Sequence, residues 1–248
     1  MNYAVCCVPV APMRITPDHR TEMVSQLLFG EYCIIDEVNK NGWAKIIGKA
    51  DDYDGWLQRS HIKEVDEEEY KAGNNFLSID WVTEIDYNAT AMFISKGSVI
   101  HTKNTGVNFK GNLWDTTKAK KDEATIRSIA FSYINTTYLW GGRSVFGIDC
   151  SGFAQAVYKF LNIPLLRDAK LQATRGEVIG FLPEVRCGDL AFFDDEAGEI
   201  VHVGILLNEN EIIHSAGKVR VDRIDSQGIV NVDTSLRTHR LRVIKRYF

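Results

Sequence analysis

The sequence predicts an α+β protein with a strand-only front part and a mixed rear part. Three observations predict it. Strand-length apolar runs separated by tight turn signals fill the first quarter of the 248 residues. Near Lys118 the apolar spacing changes to helical intervals over two segments. After those helices come three β-runs and a closing strand, and helices followed by an antiparallel meander describe an α+β domain.

Taken in order, "EYCIIDEV" (31–38) and "WAKIIG" (43–48) read as strands joined by the turn signal "NKNG". "DDYDGWLQRSHI" (51–62) adds a turn and another strand, so residues 1–66 predict a small β-barrel. Residues 67–115 open with the acidic "EEEYKAG" and continue in short strand-like pieces, which makes them a connecting segment or a second small barrel. Residues 116–248 form the third part. There "KAKKDEATIRSIAFSYINTTY" places Ala124, Ile126, Ile129, Ala130, Tyr133 and Ile134 mostly on one helical face, predicting four or five turns. The Gly-rich "LWGGRSVFGID" leads into a second helix, "CSGFAQAVYKFLNI", which Asn162 and Pro164 end. "GDLAFFDD", "IVHVGILLNE", "EIIHSAG" and "RLRVIKRYF" complete the meander.

Composition narrows the function. A net charge of −4 lacks the basic excess of a nucleic-acid binder, and no apolar run approaches the roughly 20 residues of a membrane span. The five cysteines, odd in number and irregular in spacing, describe neither a disulfide framework nor a zinc cage. Free thiols favour a reducing compartment. The first residues lack the basic stretch of a signal peptide, so the expectation is a cytoplasmic protein, or a periplasmic or secreted one if a signal has been removed.

Chemistry concentrates in the rear part. Cys150 falls in the first turn of its helix, where unpaired N–H groups and the helix dipole favour a thiolate and predict a lowered pKa. Position alone leaves it between a nucleophile and a core thiol. His202 and His214 lie on two neighbouring strands joined by "NENE", which brings them to one face. A cysteine nucleophile needs an imidazole base and a third polar group that fixes the base's tautomer, and these three residues supply such a set. A metal site would want a close-spaced ligand pair; here the nearest pair, His202 and His214, is twelve residues apart, and no metal or other cofactor is expected.

"YLWGG", "DCSGF", "GDLAFF", "VHVGI" and "IIHSAG", in this order, resemble the NlpC-type cysteine peptidases of bacterial cell-wall metabolism, which have a papain-like core. The resemblance covers roughly residues 118–248, and the front strands resemble a bacterial SH3-like barrel. The pairing is similar to the γ-D-glutamyl-L-diamino acid endopeptidases (dipeptidyl-peptidase VI), which recycle murein peptides. It implies Cys150 as nucleophile, His202 as base, His214 as the orienting residue and Tyr138 beside the nucleophile. It further implies that Asp149 and Ser151 hold the free amine of an N-terminal L-Ala; read alone, Asp149 is a helix N-cap. Arg167 suits a substrate carboxylate, and Asp168 lines the cleft or caps a helix. Glu22 and Tyr53 are the barrel residues expected to recognise the amino terminus.

The expected reaction is hydrolysis of the γ-D-glutamyl–diamino acid bond of murein peptides with a free N-terminal L-Ala, releasing L-Ala-γ-D-Glu. The alternatives are hydrolysis of intact peptidoglycan, or an amidase or acyltransferase on the same core.

Overall fold

A computed structural model describes residues 2–72, 75–101 and 106–248. Two compact units divide the chain: Met1–Lys118 with Trp140–Phe146, and Ala119–Leu139 with Gly147–Phe248.

The first unit opens with β1 (Asn2–Cys6), β2 (Val10–Arg14), β3 (Met23–Leu28), β4 (Tyr32–Val38), β5 (Trp43–Gly48), β6 (Asp54–Gln58) and β7 (Ile62–Val65). They form one antiparallel sheet in the order β3-β2-β6-β5-β4-β1-β7. Alternation along each strand sends Ala4, Met13, Leu27, Ile46 and Leu57 into its core. The "NKNG" turn between β4 and β5 places Gly42 at φ +79°, which suits a residue without Cβ.

The acidic run forms α1 (Glu67–Ala72), and β8 (Phe76–Ser78), β9 (Val82–Tyr87), β10 (Thr90–Ser95), β11 (Val107–Phe109) and β12 (Leu113–Asp115) follow. The order β10-β9-β11 makes a three-stranded sheet and β12 pairs with β8. Phe29, Ile85, Ile94 and Ile100 give this part its own small core. Of the span 67–115, residues 73–74 and 102–105 lie outside the described residues. The loop that carries β13 (Arg143–Ser144) completes the unit: Arg143 is buried in an ion pair with Glu31 at 2.9 Å.

The second unit begins with α2 (Glu123–Phe131), then β14 (Gly147–Ile148), α3 (Cys150–Phe160) and α4 (Ala169–Gln172). α2 is shorter than its apolar spacing suggests. Asp122 caps its start by accepting from the Thr125 N–H, and the chain leaves the helix before Asn135, which has φ +67°. Then come β15 (Glu177–Ile179), β16 (Leu190–Asp194), β17 (Ile200–Leu206), β18 (Glu211–Ala216), β19 (Lys218–Asp225), β20 (Gly228–Val230) and β21 (Arg237–Arg246). They form an antiparallel sheet in the order β15-β21-β16-β17-β18-β19-β20, with β21 also pairing β20. The unit is sheet-rich; α3 lies against β17 and β18, and α4 against β17. Phe153, Ala154, Val157 and Tyr158, which the apolar spacing of α3 predicts for the buried stripe, are buried, as is Leu161 at its C-cap. Among the described residues no helix is long and apolar enough to cross a membrane.

Candidate active site

The start of α3 is fixed from its own side chains. Asp149 at the N-cap accepts from the Gly152 N–H at 2.7 Å, an interaction typically worth about 1 kcal/mol to a helix. Arg167, itself only 2% exposed, is ion-paired with Asp149 through Nη2 and donates from Nη1 to Ser151 Oγ at 2.8 Å. The sequence reading offers this guanidinium to a substrate carboxylate; the fold sets it against Asp149, where it balances a buried charge. Asp168 stands at the N-cap of α4 without a side-chain capping bond.

Cys150 is buried directly after that cap. Its thiol is pushed up to about 12, first by burial and then by the Asp149 carboxylate; the N–H groups of Val203 and Ser151 and the Arg167 cation oppose the shift. This corrects the expectation of a lowered thiol pKa. The helix-end donors are present, but burial and an adjacent carboxylate outweigh them. The Val203 N–H that favours the thiolate belongs to the residue after His202, which places the sulfur beside that part of β17.

The histidines are brought together by sheet register. Gly204 on β17 pairs with His214 on β18. A Cβ on Gly204 would lie 2.9 Å from His214 Cβ and 2.6 Å from Ile212 Cδ1, so the glycine of "HVGI" makes room for the second histidine. His202 Nε2 meets His214 Nδ1 at 2.8 Å, and His214 Nε2 meets Asp222 Oδ2 at 3.0 Å. Asp222 on β19 is a site residue that the sequence reading missed. It is 2% exposed and also accepts from Arg220 Nη2 at 2.8 Å and from the Val232 N–H at 2.9 Å. Burial alone would raise its pKa; bonds from His214, Arg220 and Val232 hold it at about 2. The signal was present but faint: an acid at an alternating position of "KVRVDRID", on the strand that follows His214.

The carboxylate determines the proton positions along this row. Asp222 can only accept, so the His214 proton sits on Nε2 and its Nδ1 accepts. His202 therefore carries its proton on Nε2 and presents a lone pair at Nδ1. Burial, with His214 and His239 as neighbours, drives the His202 pKa well below 6.5, so the ring rests neutral. His239, also missed, stacks on His202 with centroids 4.1 Å apart.

Tyr138 is positioned by its backbone. Its N–H donates to Gly217 O at 3.0 Å, while Ile148 N–H donates to Thr137 O at 3.0 Å, which ties the tyrosine to the approach to α3. Burial, then the charges of Cys150 and Asp149, push its hydroxyl up to about 12, so it stays a donor. In the first unit, Glu22 is exposed and accepts from Trp140 Nε1 at 2.6 Å; Trp140 is a partner the sequence reading did not assign. Tyr53, half-buried, rests on the barrel core. Among the described residues no group of three or more His, Cys, Asp or Glu is arranged to hold a metal ion.

Comparison with known proteins identifies the family and the fold. The signature of the NlpC/P60 family matches residues 135–238, and that of the bacterial dipeptidyl-peptidase SH3 domain matches residues 13–62. The chain is 40% identical over 95 residues to a γ-D-glutamyl-L-lysine dipeptidyl-peptidase of Bacillus subtilis, covering 38% of this chain and 31% of that protein. To dipeptidyl-peptidase 6 of Lysinibacillus sphaericus it is 25% identical over 264 residues, covering 90% and 92% of the two chains. Its fold is similar to the crystal structure of an NlpC/P60 family protein from Bacillus cereus, with a TM-score of 0.80, 17% identity and 99% of each chain covered. The chain thus belongs to the NlpC/P60 family and is a cysteine peptidase, with a papain-like fold preceded by an N-terminal SH3-like barrel.

Proposed function

We propose that this peptidase hydrolyses the γ-D-glutamyl–diamino acid bond of short murein peptides whose N-terminal L-Ala is free. The observation that carries the chemistry is the row His202–His214–Asp222, which leaves a lone pair at His202 Nδ1 while the N–H of the next residue, Val203, reaches the buried thiol. Relatives bearing dipeptidyl-peptidase names support the substrate class.

In this reading His202 Nδ1 takes the Cys150 proton as the sulfur attacks the γ-carbonyl carbon. The oxyanion receives hydrogen bonds from the Tyr138 hydroxyl and from backbone N–H at the start of α3. His202 then passes its proton to the leaving amine of the diamino acid, and the C–N bond breaks to leave a thioester. A water, deprotonated by His202, attacks the thioester; the restored carboxyl group leaves as L-Ala-γ-D-Glu and the thiol regains its proton. Glu22, Tyr53, Asp149 and Ser151 are the proposed amine-recognition set. Glu22 is the acid of that set whose negative charge is not balanced by a buried arginine. Five free thiols accord with use on recycled peptides in the cytoplasm.

The test is mass spectrometry of products from L-Ala-γ-D-Glu-diamino acid tripeptides, free and N-acetylated. Release of the dipeptide from the free tripeptide alone is the expected result. Equal cleavage of both removes the amine requirement, and cleavage of neither removes the substrate class.

A further inference from the structure

We infer that His239 is a positioning residue for the base, its ring lying flat on His202 and holding that imidazole in the plane from which it serves the thiol. The inference rests on the proposed role of His202. A ring fixed by one hydrogen bond at Nε2 is still able to rock about its Cβ–Cγ bond, because sp³–sp² torsions have broad minima. Three aromatic neighbours restrict that motion. His214 meets His202 edge-on at 5.1 Å and 83°, and Phe193 lies tilted at 5.7 Å and 46°. His239 covers a face, at 4.1 Å and 26°.

The backbone holds His239 firmly in that place. His239 pairs with Ile229 across β20 and β21. Gly228, at φ +136°, comes so close that a Cβ there would lie 1.8 Å from the His239 carbonyl oxygen. Two residues further along the strand the Leu241 N–H donates to Gln227 O at 3.0 Å. The glycine therefore lets two strands approach at the position that carries the stacked ring.

The charged and titratable groups around the pair are known. His202 comes from β17, His214 from β18, and Asp222 with its partner Arg220 from β19. On the strand of His239 itself, Arg237 pairs with Asp225 and Arg240 with Asp194. Burial, then His214, hold His239 at about 4 against the opposing pull of Asp222, so both stacked rings are neutral at physiological pH. A protonated His239 would repel the imidazolium that His202 becomes during turnover.

Three full-length variants test this: His239→Ala removes the ring, His239→Leu keeps an apolar side chain that is not flat, and His239→Phe keeps a flat ring. Misplacing a reacting group by about 1 Å costs on the order of 100-fold, so Ala and Leu are expected to lower kcat about 10- to 100-fold with KM nearly unchanged. Phe is expected to restore most of the rate. The acid limb of kcat/KM should move up in pH for Ala, where water reaches His202, and stay low for Phe. Alkylation of Cys150 by iodoacetamide should slow in Ala and Leu and recover in Phe. Wild-type kcat and alkylation rate in folded Leu, or Phe as slow as Leu, would overturn the inference. Alkylation needs no peptide, so a failed substrate assignment leaves this comparison decisive.

Discussion

Asp222→Asn isolates the step on which the proposed chemistry depends. In the wild type, Asp222 Oδ1 faces two donors, Arg220 Nη2 and the Val232 N–H, while Oδ2 faces His214 Nε2 and Arg220 Nε. An amide must put its NH₂ at one of these places. At Oδ1 it would meet two donors that cannot change; at Oδ2 it meets Arg220 Nε and His214 Nε2, and His214 can adapt by moving its proton to Nδ1. The second placement wins. His214 then donates to His202 Nε2, the His202 proton shifts to Nδ1, and the lone pair intended for the thiol is lost. Restoring the productive tautomer forfeits a hydrogen bond to a charged group, about 1.5–3 kcal/mol. At about 1.4 kcal/mol per factor of ten, kcat should fall roughly 10- to 150-fold, with KM little changed. Steady-state kinetics on the free tripeptide reads this, and nitrogen NMR of the two imidazoles reads the tautomers directly. A folded Asn variant with kcat within about threefold of wild type would refute the proton assignment, since the lost hydrogen bond alone is expected to cost roughly tenfold or more.

Other outcomes follow from the same groups. Cys150 should react slowly with iodoacetamide near pH 6 and faster as the pH rises, because its thiol pKa is raised, to about 12; rapid labelling in mild acid would show a preformed thiolate. Arg167→Met leaves Asp149 as a buried, uncompensated carboxylate and should cost about 3–5 kcal/mol, lowering the melting temperature by roughly 6–20 °C. The double variant Arg167→Met with Asp149→Asn should recover part of that loss in the same melting assay. His202 and His239 are held below their ordinary pKa of 6.5, so the unfolded chain binds protons first as the pH falls. Stability is therefore complete above about 6.5 and declines towards pH 4, the region where His239 itself titrates in the fold. Melting curves across that range should be flatter for His239→Phe than for the wild type.

The site was legible where a residue's chemistry and its local pattern coincide. Cys150 follows a capping acid at the head of an amphipathic run, and His202 and His214 stand on adjacent apolar strands, so sequence spacing and spatial neighbourhood agree. Asp222 and His239 were missed because their meaning depends on register. Asp222 pairs with Ile212 and so sits diagonally to His214, and His239 reaches His202 only because β21 folds back along both β16 and β20. The pKa of Cys150 was misjudged for a related reason. A helix N-terminus can be read in the sequence, but the desolvation that opposes it depends on what covers the thiol. α2 was overestimated in length because apolar spacing does not register the turn at Asn135.

Burial raises the thiol pKa and lowers the imidazole pKa, and each shift taken alone argues against reaction. Together they do not. Desolvation penalises net charge, whereas the proposed proton transfer from Cys150 to His202 would create a thiolate and an imidazolium together, a pair whose attraction grows as water is excluded. The resting site is then two neutral groups, and the ion pair forms only when a carbonyl carbon is there to take the sulfur's electrons. Asp222 shapes the same balance from the far end. With Arg220 held between Asp222 and Asp233, the three groups sum to one negative charge at the end of the histidine row. That charge favours the imidazolium as it develops, through hydrogen bonds already in place, so little reorganisation is needed during the reaction. Asp222→Asn therefore acts twice in the proposed mechanism, by misplacing a proton and by removing the charge that waits for it.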